Sequence, residues 1–361
     1  MTRTTPTRLQ SSPQRRDIVV VGASAGGIDA LTRVVAGFPA DLPAAVFVVV
    51  HFPPTSTSAL PKILSRAGPL PALAPRDEAP IEPGRIYVAT PNYHLRLEPG
   101  SIRLAQGPRH NGVRPAVDVL FRSAAIAYGP RVIGIVLSGT MDDGTAGAMA
   151  IRQHGGLIIV QDPSDALFPG MIDSVIAHAE PDYVLPADKI GPTVSSLVRS
   201  SANSSVRSSA VSGAAEGVAM DSAKHLEGPP SSFVCPECHG ALWETSEGDH
   251  LTFRCHVGHA YSAESMYASQ AEDLEHALWV ALRTLKDRVA LSRLMAERAM
   301  ARGHHETASK YAEQAVDNEE RAAVVRQAIE RGVQPLSFRE FEMAVADEAE
   351  MTERRERADQ E

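Results

Sequence analysis

Short, strongly apolar runs alternate with helical patterns through the first half of the chain. Between Asp17 and about Arg199 these runs are IVVV, AAVFVVVHF, RIYVAT, VIGIVLSG and GGLIIVQD. Each run is apolar at consecutive positions, as expected for strands of a parallel sheet that helices cover on both faces. The pattern therefore predicts a doubly wound α/β domain with a mainly parallel sheet over residues 17–199.

Two long amphipathic patterns occupy the second half, over about residues 263–303 and 305–331. In the first, apolar residues recur mostly at three- and four-residue spacing, at Leu274, Leu278, Ala281, Leu285, Val289 and Leu294. Gly303 separates the two patterns, which predicts an antiparallel α-helical hairpin over residues 263–331. The hairpin either buries this seam within itself or offers it to a receptor array, a signalling partner or a second copy of the chain.

The remaining segments lack a long periodic pattern. Residues 200–230 are rich in Ser, Ala and Gly, which is typical of a flexible linker, and residues 231–262 form a small Cys/His module. Residues 1–16 predict a disordered tail, and the charge-dense residues 332–361 predict a final helix or tail. Because a long flexible tether specifies no fixed docking, we expect the elements after it to sit apart from the α/β domain.

Composition and charge narrow the classes of function. The sequence holds 35 Lys and Arg against 44 Asp and Glu, a formal net charge of -9, so no broad attraction for nucleic acid is expected. No apolar run reaches the roughly 18 residues of a membrane span, and the polar first residues lack the apolar centre of a signal peptide. A cytoplasmic protein without membrane insertion is therefore expected.

All three cysteines lie close together beside two histidines. The order is Cys235-Pro-Glu-Cys238, sixteen further residues, and then Cys255-His-Val-Gly-His259. Two such knuckles are typical of a structural zinc site, which would staple a module too small for a large apolar core. We expect a zinc-ribbon-like module with Cys235, Cys238, Cys255 and His259 as ligands and His256 as the alternative fourth ligand. Four protein ligands leave no open position, so no catalysis is expected of the metal.

A serine lies at the turn after the first predicted strand. Gly22-Ala23-Ser24-Ala25-Gly26 matches G-x-S-x-G, a strand-to-helix turn that raises a nucleophilic hydroxyl above a sheet. Such a turn can also bind a phosphate or simply reverse the chain. A dinucleotide site fits poorly because G-x-G-x-x-G is absent. An α/β-hydrolase fits poorly because the turn follows the first strand, whereas that fold places a substantial sheet before it.

Further polar residues fall at predicted strand ends, where ligands gather in open α/β sheets. His51 closes the strand after the serine strand and is the leading candidate for a general base. His94 follows RIYVATPNY and either orients substrate or is a buried structural residue. The pair Asp142-Asp143 follows VIGIVLSGTM and offers an acid to orient the histidine, although Asp and Gly are also ordinary turn and helix-cap residues.

Five motifs together resemble one family. VGASAGG, VVVHFPP, GRIYVATPNYHL, RPAVDVLFRSAA and LSGTMDDGTAG follow the order and approximate spacing of the catalytic domain of chemotaxis receptor methylesterases, the CheB-type protein-glutamate methylesterases. The resemblance covers about residues 17–190. It implies hydrolysis of glutamate γ-methyl esters on receptors, often with deamidation of receptor glutamines, and no cofactor for catalysis. It also implies a triad of Ser24, His51 and Asp143, the second acid of MDDG.

Some features depart from that family's pattern. Ala25 stands where well-known members have Thr in GASTGG, and Thr140-Met141-Asp142 replace the more usual Met-Gly-Asn. Backbone amides near Ala25 and Thr140 are the expected oxyanion donors, and loss of one such donor typically costs about 3 kcal/mol. Only about 16 residues precede the first strand, so we expect no receiver domain of the kind that usually gates these enzymes. Similar C-terminal appendages occur on some stand-alone members.

Two alternatives stand beside an active protein-glutamate methylesterase. One is a catalytically weak signalling scaffold with the same fold, and the other is an esterase for a small ester. The joint presence of Ser24, His51 and Asp143 favours the enzyme, since a scaffold needs none of them. The expected partner is a methylated chemoreceptor or a related signalling protein.

Overall fold

The protein is described by a computed structural model, which covers residues 15–51, 59–204, 230–247 and 250–331. Nearly all of the predicted N-terminal tail, most of the predicted linker and the charged C-terminal segment lie outside these described residues. The α/β domain and the Cys/His module belong to one compact unit, and Met266–Leu336 forms a second.

A seven-stranded parallel sheet forms the centre of the α/β domain. The first nine strands of the chain are β1 (Ile18–Ala23), β2 (Ala45–Val50), β3 (Ala72–Leu73), β4 (Ile86–Val88), β5 (His94–Glu98), β6 (Ser101–Ala105), β7 (Val132–Val136), β8 (Leu157–Gln161) and β9 (Tyr183–Leu185). The sheet has the order β3-β4-β2-β1-β7-β8-β9, and β5 and β6 form a separate antiparallel pair.

Helices cover both faces of this sheet, so the predicted doubly wound α/β fold is confirmed. The helices of the domain are α1 (Gly27–Ala36), α2 (Leu60–Ala67), α3 (Val117–Tyr128), α4 (Thr145–Gln153), α5 (Gly170–Ala179) and α6 (Ala187–Ser204). One apolar core joins α1, α2 and α6 to the sheet, and the other joins α3, α4, α5 and the β5–β6 pair to the opposite face. Every residue of β1 and β2 is buried, which is why their sequences are apolar without alternation.

The strand order reverses beside β1. From β1 the chain moves outward through β2 to β4, and it later returns to β7 on the other side of β1. Ligands of open α/β sheets bind at the carboxyl ends of the strands at such a switch point. The fold therefore directs attention to the loops that follow β1, β2 and β7.

The Cys/His module is a three-stranded antiparallel sheet of β10 (Leu242–Glu247), β11 (His250–Cys255) and β12 (Ala260–Ser262). Its edge docks on the loop between β6 and α3, where the amide of Asn111 donates to the carbonyl of Ala260 at 2.7 Å and the amide of Ala260 donates to the carbonyl of Arg109 at 3.2 Å. The expectation that the module sits apart from the α/β domain is therefore wrong. A flexible tether sets no docking position, but the free backbone groups of an edge strand pair wherever a partner is in reach.

The predicted helical hairpin is confirmed as α7 (Ala263–Ala301) and α8 (His305–Glu330), with Gly303 at a φ of 76° in the turn. Leu282 and Val289 are buried along its seam. Leu274 and Leu294, which the spacing assigned to that seam, are 50% and 44% exposed. The 26-residue α8 is too short to cover all of the 39-residue α7, and a three-or-four spacing does not single out one face over so many turns. Within the described ranges, no helix combines the length and apolar character that a bilayer span requires.

Candidate active site

Three neighbouring strands carry Ser24, His51 and Asp143 to one edge of the sheet. Ser24 follows β1 directly, His51 follows β2, and Asp143 lies in the loop between β7 and α4. The ladder between β1 and β2 continues to the site, because the amide of His51 donates to the carbonyl of Ala23 at 3.4 Å. The parallel register thus sets the serine and the histidine side by side.

The three side chains form a hydrogen-bonded series. Nδ1 of His51 lies 3.1 Å from Oγ of Ser24, and Nε2 of His51 lies 2.8 Å from Oδ2 of Asp143. Because an ionised carboxylate can only accept, Nε2 carries the ring proton, and the lone pair of Nδ1 faces the serine hydroxyl, which donates. The side chain of His51 is 16% exposed and that of Asp143 is 4% exposed. This arrangement can take the proton from Ser24 and hold the positive charge that results.

The N-terminus of α3 holds the carboxylate of Asp143. The amide of Val117 donates to Oδ2 at 2.7 Å, and the amide of Asp118 donates to Oδ1 at 3.1 Å. Burial raises the pKa of Asp143, but the hydrogen bond and charge of His51 and these two amides outweigh it, so the pKa lies below its ordinary value. Asp143 is therefore ionised, and its negative charge lies beside the ring of His51 that becomes positive when it takes the serine proton.

Asp118, which was not among the predicted site residues, fixes the loop that carries Asp143. Its Oδ1 accepts hydrogen bonds from the amides of Gly144 at 3.0 Å and Gly147 at 2.7 Å, at the start of α4. The carboxylate is 93% buried, at 7% relative exposure, so these bonds offset its loss of hydration. An acidic residue in the first turn of an otherwise apolar helix is the signal in RPAVDVLF that could have identified it.

The two glycines of the serine motif have different tasks. Gly26 has a φ of 70° in the left-handed region and turns the chain into α1, as the motif predicts. Gly22 lies inside β1, where a Cβ atom would come within 2.3 Å of Cγ1 of Val117. It therefore permits α3 to approach the sheet closely enough for the Val117 amide to reach Asp143.

Backbone amides at the same edge are available to a ligand oxygen. Among the described residues, the amides of Ala25 and Thr140 donate no hydrogen bond to another described group. The serine turn itself is fixed, because the amide of Ser24 donates to the carbonyl of Ser138 at 2.9 Å and Oγ of Ser138 donates to the carbonyl of Ala25 at 2.8 Å. The predicted oxyanion donors thus lie in two loops, after β1 and after β7, which these hydrogen bonds join.

Asp142 does not face His51. It is 2% exposed, Oγ of Ser262 donates to its Oδ1 at 2.7 Å, and Nε2 of His250 lies 3.7 Å from its Oδ2. Burial raises the pKa of Asp142 well above the ordinary value, which favours the neutral carboxyl. The geometry therefore separates two adjacent acids that the spacing of strand ends alone left equivalent.

His94 has a structural place. It is 2% exposed, its Nε2 donates to the carbonyl of Pro108 at 2.9 Å, and its Nδ1 accepts from the amide of Ala116 at 3.3 Å. Burial lowers the pKa of His94, so the ring is neutral with its proton on Nε2. Both ring nitrogens are thus used to support the residue just before α3 and neither faces the serine.

The four predicted metal ligands converge in the Cys/His module. One ligand atom from each of Cys235, Cys238, Cys255 and His259 lies within 4.8 Å of all the others. Nδ1 of His259 is 3.6 Å from Sγ of Cys235 and 3.5 Å from Sγ of Cys255, and Sγ of Cys238 is 3.7 Å from Sγ of Cys255. His256 is exposed and outside the cluster. These four side chains could hold a metal ion.

Comparison with known proteins concerns the α/β domain. A family profile described as CheB methylesterase matches residues 19–194. A protein-glutamate methylesterase/protein-glutamine glutaminase 2 of Methanosarcina mazei is 36% identical over 53% of this chain and 54% of its own length, and one of Caulobacter vibrioides is 40% identical over 52% and 55%. The chain thus spans about half the length of these curated relatives. The crystal structure of the Thermotoga maritima CheB methylesterase catalytic domain is 35% identical and covers 51% of this chain and 99% of that chain, with a TM-score of 0.49.

The family match falls on the segment that carries Ser24, His51 and Asp143. The resemblance stated from the five motifs is confirmed at the level of that segment. Residues 19–194 therefore form a domain of the CheB methylesterase family.

Proposed function

We propose that the chain is a cytoplasmic protein-glutamate methylesterase that hydrolyses γ-methyl esters of glutamate on a chemoreceptor or a related signalling protein. The observation that supports it most directly is the hydrogen-bonded series from Ser24 through His51 to Asp143 at the switch point of the sheet. The names of relatives that share this domain give the class of ester. A scaffold would not require a buried, ionised Asp143 aimed at a histidine.

In the first half-reaction, Oγ of Ser24 attacks the ester carbonyl while Nδ1 of His51 removes the hydroxyl proton. The negative charge that develops on the carbonyl oxygen is met by the amides of Ala25 and Thr140. The protonated ring keeps its Nε2–H bond to Asp143, which offsets the new positive charge. Nδ1 then returns the proton to the departing methoxy group, so methanol leaves and a glutamyl ester of Ser24 remains.

In the second half-reaction, water attacks the glutamyl ester and the same nitrogen of His51 takes the proton from it. Collapse of the tetrahedral intermediate returns that proton to Oγ of Ser24 and frees the glutamic acid side chain, which releases its own proton to water as the carboxylate forms. A glutamine side chain can enter the same sequence, with ammonia as the leaving group in place of methanol. Deamidation by this site therefore needs no additional residue.

The test uses full-length protein and receptor membranes that carry methyl-labelled glutamate esters. Wild-type protein should release labelled methanol, and Ser24→Ala should reduce the rate by several orders of magnitude. Release by Ser24→Ala at the wild-type rate would contradict the serine mechanism. A wild-type protein that binds these membranes without releasing methanol would indicate the scaffold, and one that cleaves only small soluble esters would indicate a different substrate.

The cluster of Cys235, Cys238, Cys255 and His259 is proposed to bind a structural zinc ion. In a tetrahedral site with Zn–S distances of ~2.3 Å and Zn–N distances of ~2.0 Å, neighbouring ligand atoms lie roughly 3.5–3.8 Å apart. The distances of 3.5 to 3.7 Å within the cluster fit that geometry. When bound, zinc would cross-link the two knuckles and supply no catalytic position, because all four ligands come from the protein.

A further inference from the structure

The Cys/His module reaches the catalytic acid through one residue, Asn111. Oδ1 of Asn111 accepts hydrogen bonds from the amide of Ser262, the last residue of the module, at 3.0 Å and from Oγ of Ser265, in the first turn of α7, at 3.0 Å. Nδ2 of Asn111 lies 3.3 Å from Oδ1 of Asp143 and 3.3 Å from Oδ2 of Asp118. One amide side chain thus bridges the module and the two buried carboxylates of the α/β domain.

This network allows only one orientation of the amide. With Nδ2 inward, each of its two hydrogens meets a carboxylate oxygen and Oδ1 meets two donors. A rotation by 180° would place the oxygen against two carboxylates and the NH₂ group against the donors of Ser262 and Ser265. The end of the module, with the turn of α7 that follows it directly, therefore decides the direction in which Asn111 points, because the donors of Ser262 and Ser265 occupy the oxygen.

The contact falls on the oxygen of Asp143 that His51 does not use. Oδ2 accepts from Nε2 of His51 and from the amide of Val117, whereas Oδ1 accepts from Nδ2 of Asn111 and the amide of Asp118. Four donors from three directions hold the plane of the carboxylate. Loss of the Asn111 donor would allow the carboxylate of Asp143 to rotate and would leave its buried Oδ1 with fewer hydrogen bonds.

We infer that the Cys/His module is a working part of the esterase centre, in which it orients Asn111 as a positioning residue for the triad acid Asp143. The inference rests on the proposed function, since it assigns Asp143 the task of orienting His51. It makes catalytic turnover depend on an element that lies outside the family domain. The ion pair between Arg109 and Glu237, at 3.4 Å, belongs to the same interface but does not touch the triad.

The first test compares variants of the full chain with p-nitrophenyl acetate as substrate. Asn111 has a φ of 52°, so Asn111→Gly removes the side chain without straining the backbone, and Asn111→Asp keeps its size but replaces the inward donor. Both should lower kcat about ten-fold or more, with KM within about two-fold, since a hydrogen bond to a charged group is lost. Arg109→Ala is the matched control at the same interface and should retain wild-type kcat.

A second readout separates positioning from mere attachment of the module. The ring proton that His51 shares with Asp143 should give a low-field NMR resonance in the wild type and in Arg109→Ala. It should shift or broaden in Asn111→Gly and Asn111→Asp. Unchanged kcat and an unchanged resonance in both variants would overturn the inference, even if the module had loosened.

The module's part is tested by a double-mutant cycle. Cys238→Ser should lower metal content and kcat together, and the double variant Cys238→Ser/Asn111→Gly should be hardly slower than Asn111→Gly, because both changes act through one amide. Full kcat in metal-depleted Cys238→Ser, or multiplicative losses in the double variant, would contradict the coupling. Wild-type activity equal to that of Ser24→Ala would instead refute the proposed function, and the NMR comparison would still decide the role of Asn111.

Discussion

Nε2 of His51 lies 2.8 Å from Oδ2 of Asp143, so the ring is held through Nε2 and Nδ1 is the nitrogen presented to Ser24. This is the opposite use of the two ring nitrogens from the serine protease arrangement, in which Nε2 faces the serine. The geometry is equivalent for proton transfer, because either nitrogen can act as the base when the other carries the proton.

The assignment of Asp143 as the acid that orients His51 is tested by replacing each of the two adjacent aspartates with asparagine. In Asp143→Asn an amide hydrogen would face Nε2 of His51, which would favour the tautomer with its proton on Nδ1 and remove the base. We expect kcat to fall by roughly 10³ to 10⁴, the size of such tautomer effects in triad enzymes. The measurement is the steady-state rate with p-nitrophenyl acetate.

Asp142→Asn is the matched control for that experiment. Its pKa is raised by burial and its Oδ1 accepts from Ser262, a bond that an asparagine oxygen also accepts. We expect its kcat to remain within a few-fold of the wild type. A larger loss in Asp142→Asn than in Asp143→Asn would show that the wrong acid is assigned to the triad.

The close approach of β1 and α3 is tested at Gly22. A Cβ at this position would meet Cγ1 of Val117 at 2.3 Å, so Gly22→Ala must push the helix away from the sheet. We expect the free energy of unfolding to fall by about 1–3 kcal/mol, as for other overpacked cores, and kcat to fall because the Val117 amide moves off Asp143. Urea denaturation and ester hydrolysis measure the two effects.

A smaller side chain at Val117 should recover part of the stability that Gly22→Ala removes. In the double variant Gly22→Ala/Val117→Ala, the new methyl group takes the room that the valine leaves. The double variant should therefore be more stable than the sum of the two single changes implies. Strict additivity would argue that the two residues are not in steric contact.

Metal binding is tested by replacing each of the two histidines of the second knuckle with alanine in turn. His259→Ala should reduce zinc below one ion per chain, because its Nδ1 completes the cluster with the three cysteines. His256→Ala should keep the stoichiometric zinc, since that side chain is exposed. Elemental analysis of protein purified without chelator gives the counts, and the reverse pattern would make His256 the ligand.

The stability of the α/β domain should depend on pH through His94. Its folded pKa is lowered by burial, so below the unfolded value of about 6.5 the unfolded chain binds a proton that the folded ring resists. Stability is unaffected above that pH and is lost as the pH falls from it towards the folded pKa. The contribution is at most ~1.4 kcal/mol per pH unit for one proton.

The matched variant for this prediction is His94→Gln, whose amide does not titrate. Urea denaturation of both proteins between about pH 7 and pH 5 should give a smaller decrease in the variant. Equal slopes in the two proteins would indicate that His94 is protonated as readily in the folded chain as in the unfolded one.

The strand ends and the two Cys/His knuckles could be predicted from the amino-acid order alone, because both are local patterns. Apolar runs mark strands, and a parallel sheet brings their carboxyl ends to one edge, so the pairing of Ser24 with His51 follows from the sequence pattern. The spacing within each Cys/His knuckle is likewise set by a few consecutive residues. The choice of Asp143 over Asp142 needed the family resemblance, because both residues follow the end of the same strand and the spacing alone does not distinguish them.

Three features follow only from contacts in the folded chain: the ring nitrogen that faces Ser24, the hold of α3 on Asp143, and the docking of the module beside the triad. Each of these depends on contacts between residues far apart in sequence, such as Asn111 with Ser262. The composition of the linker predicts that the module has no fixed position on the α/β domain. It carries no information about where an edge strand finds a partner for its backbone groups. Backbone pairing at Ala260 and buried polar bonds at Asn111 set that position, and neither leaves a periodic signal in the chain.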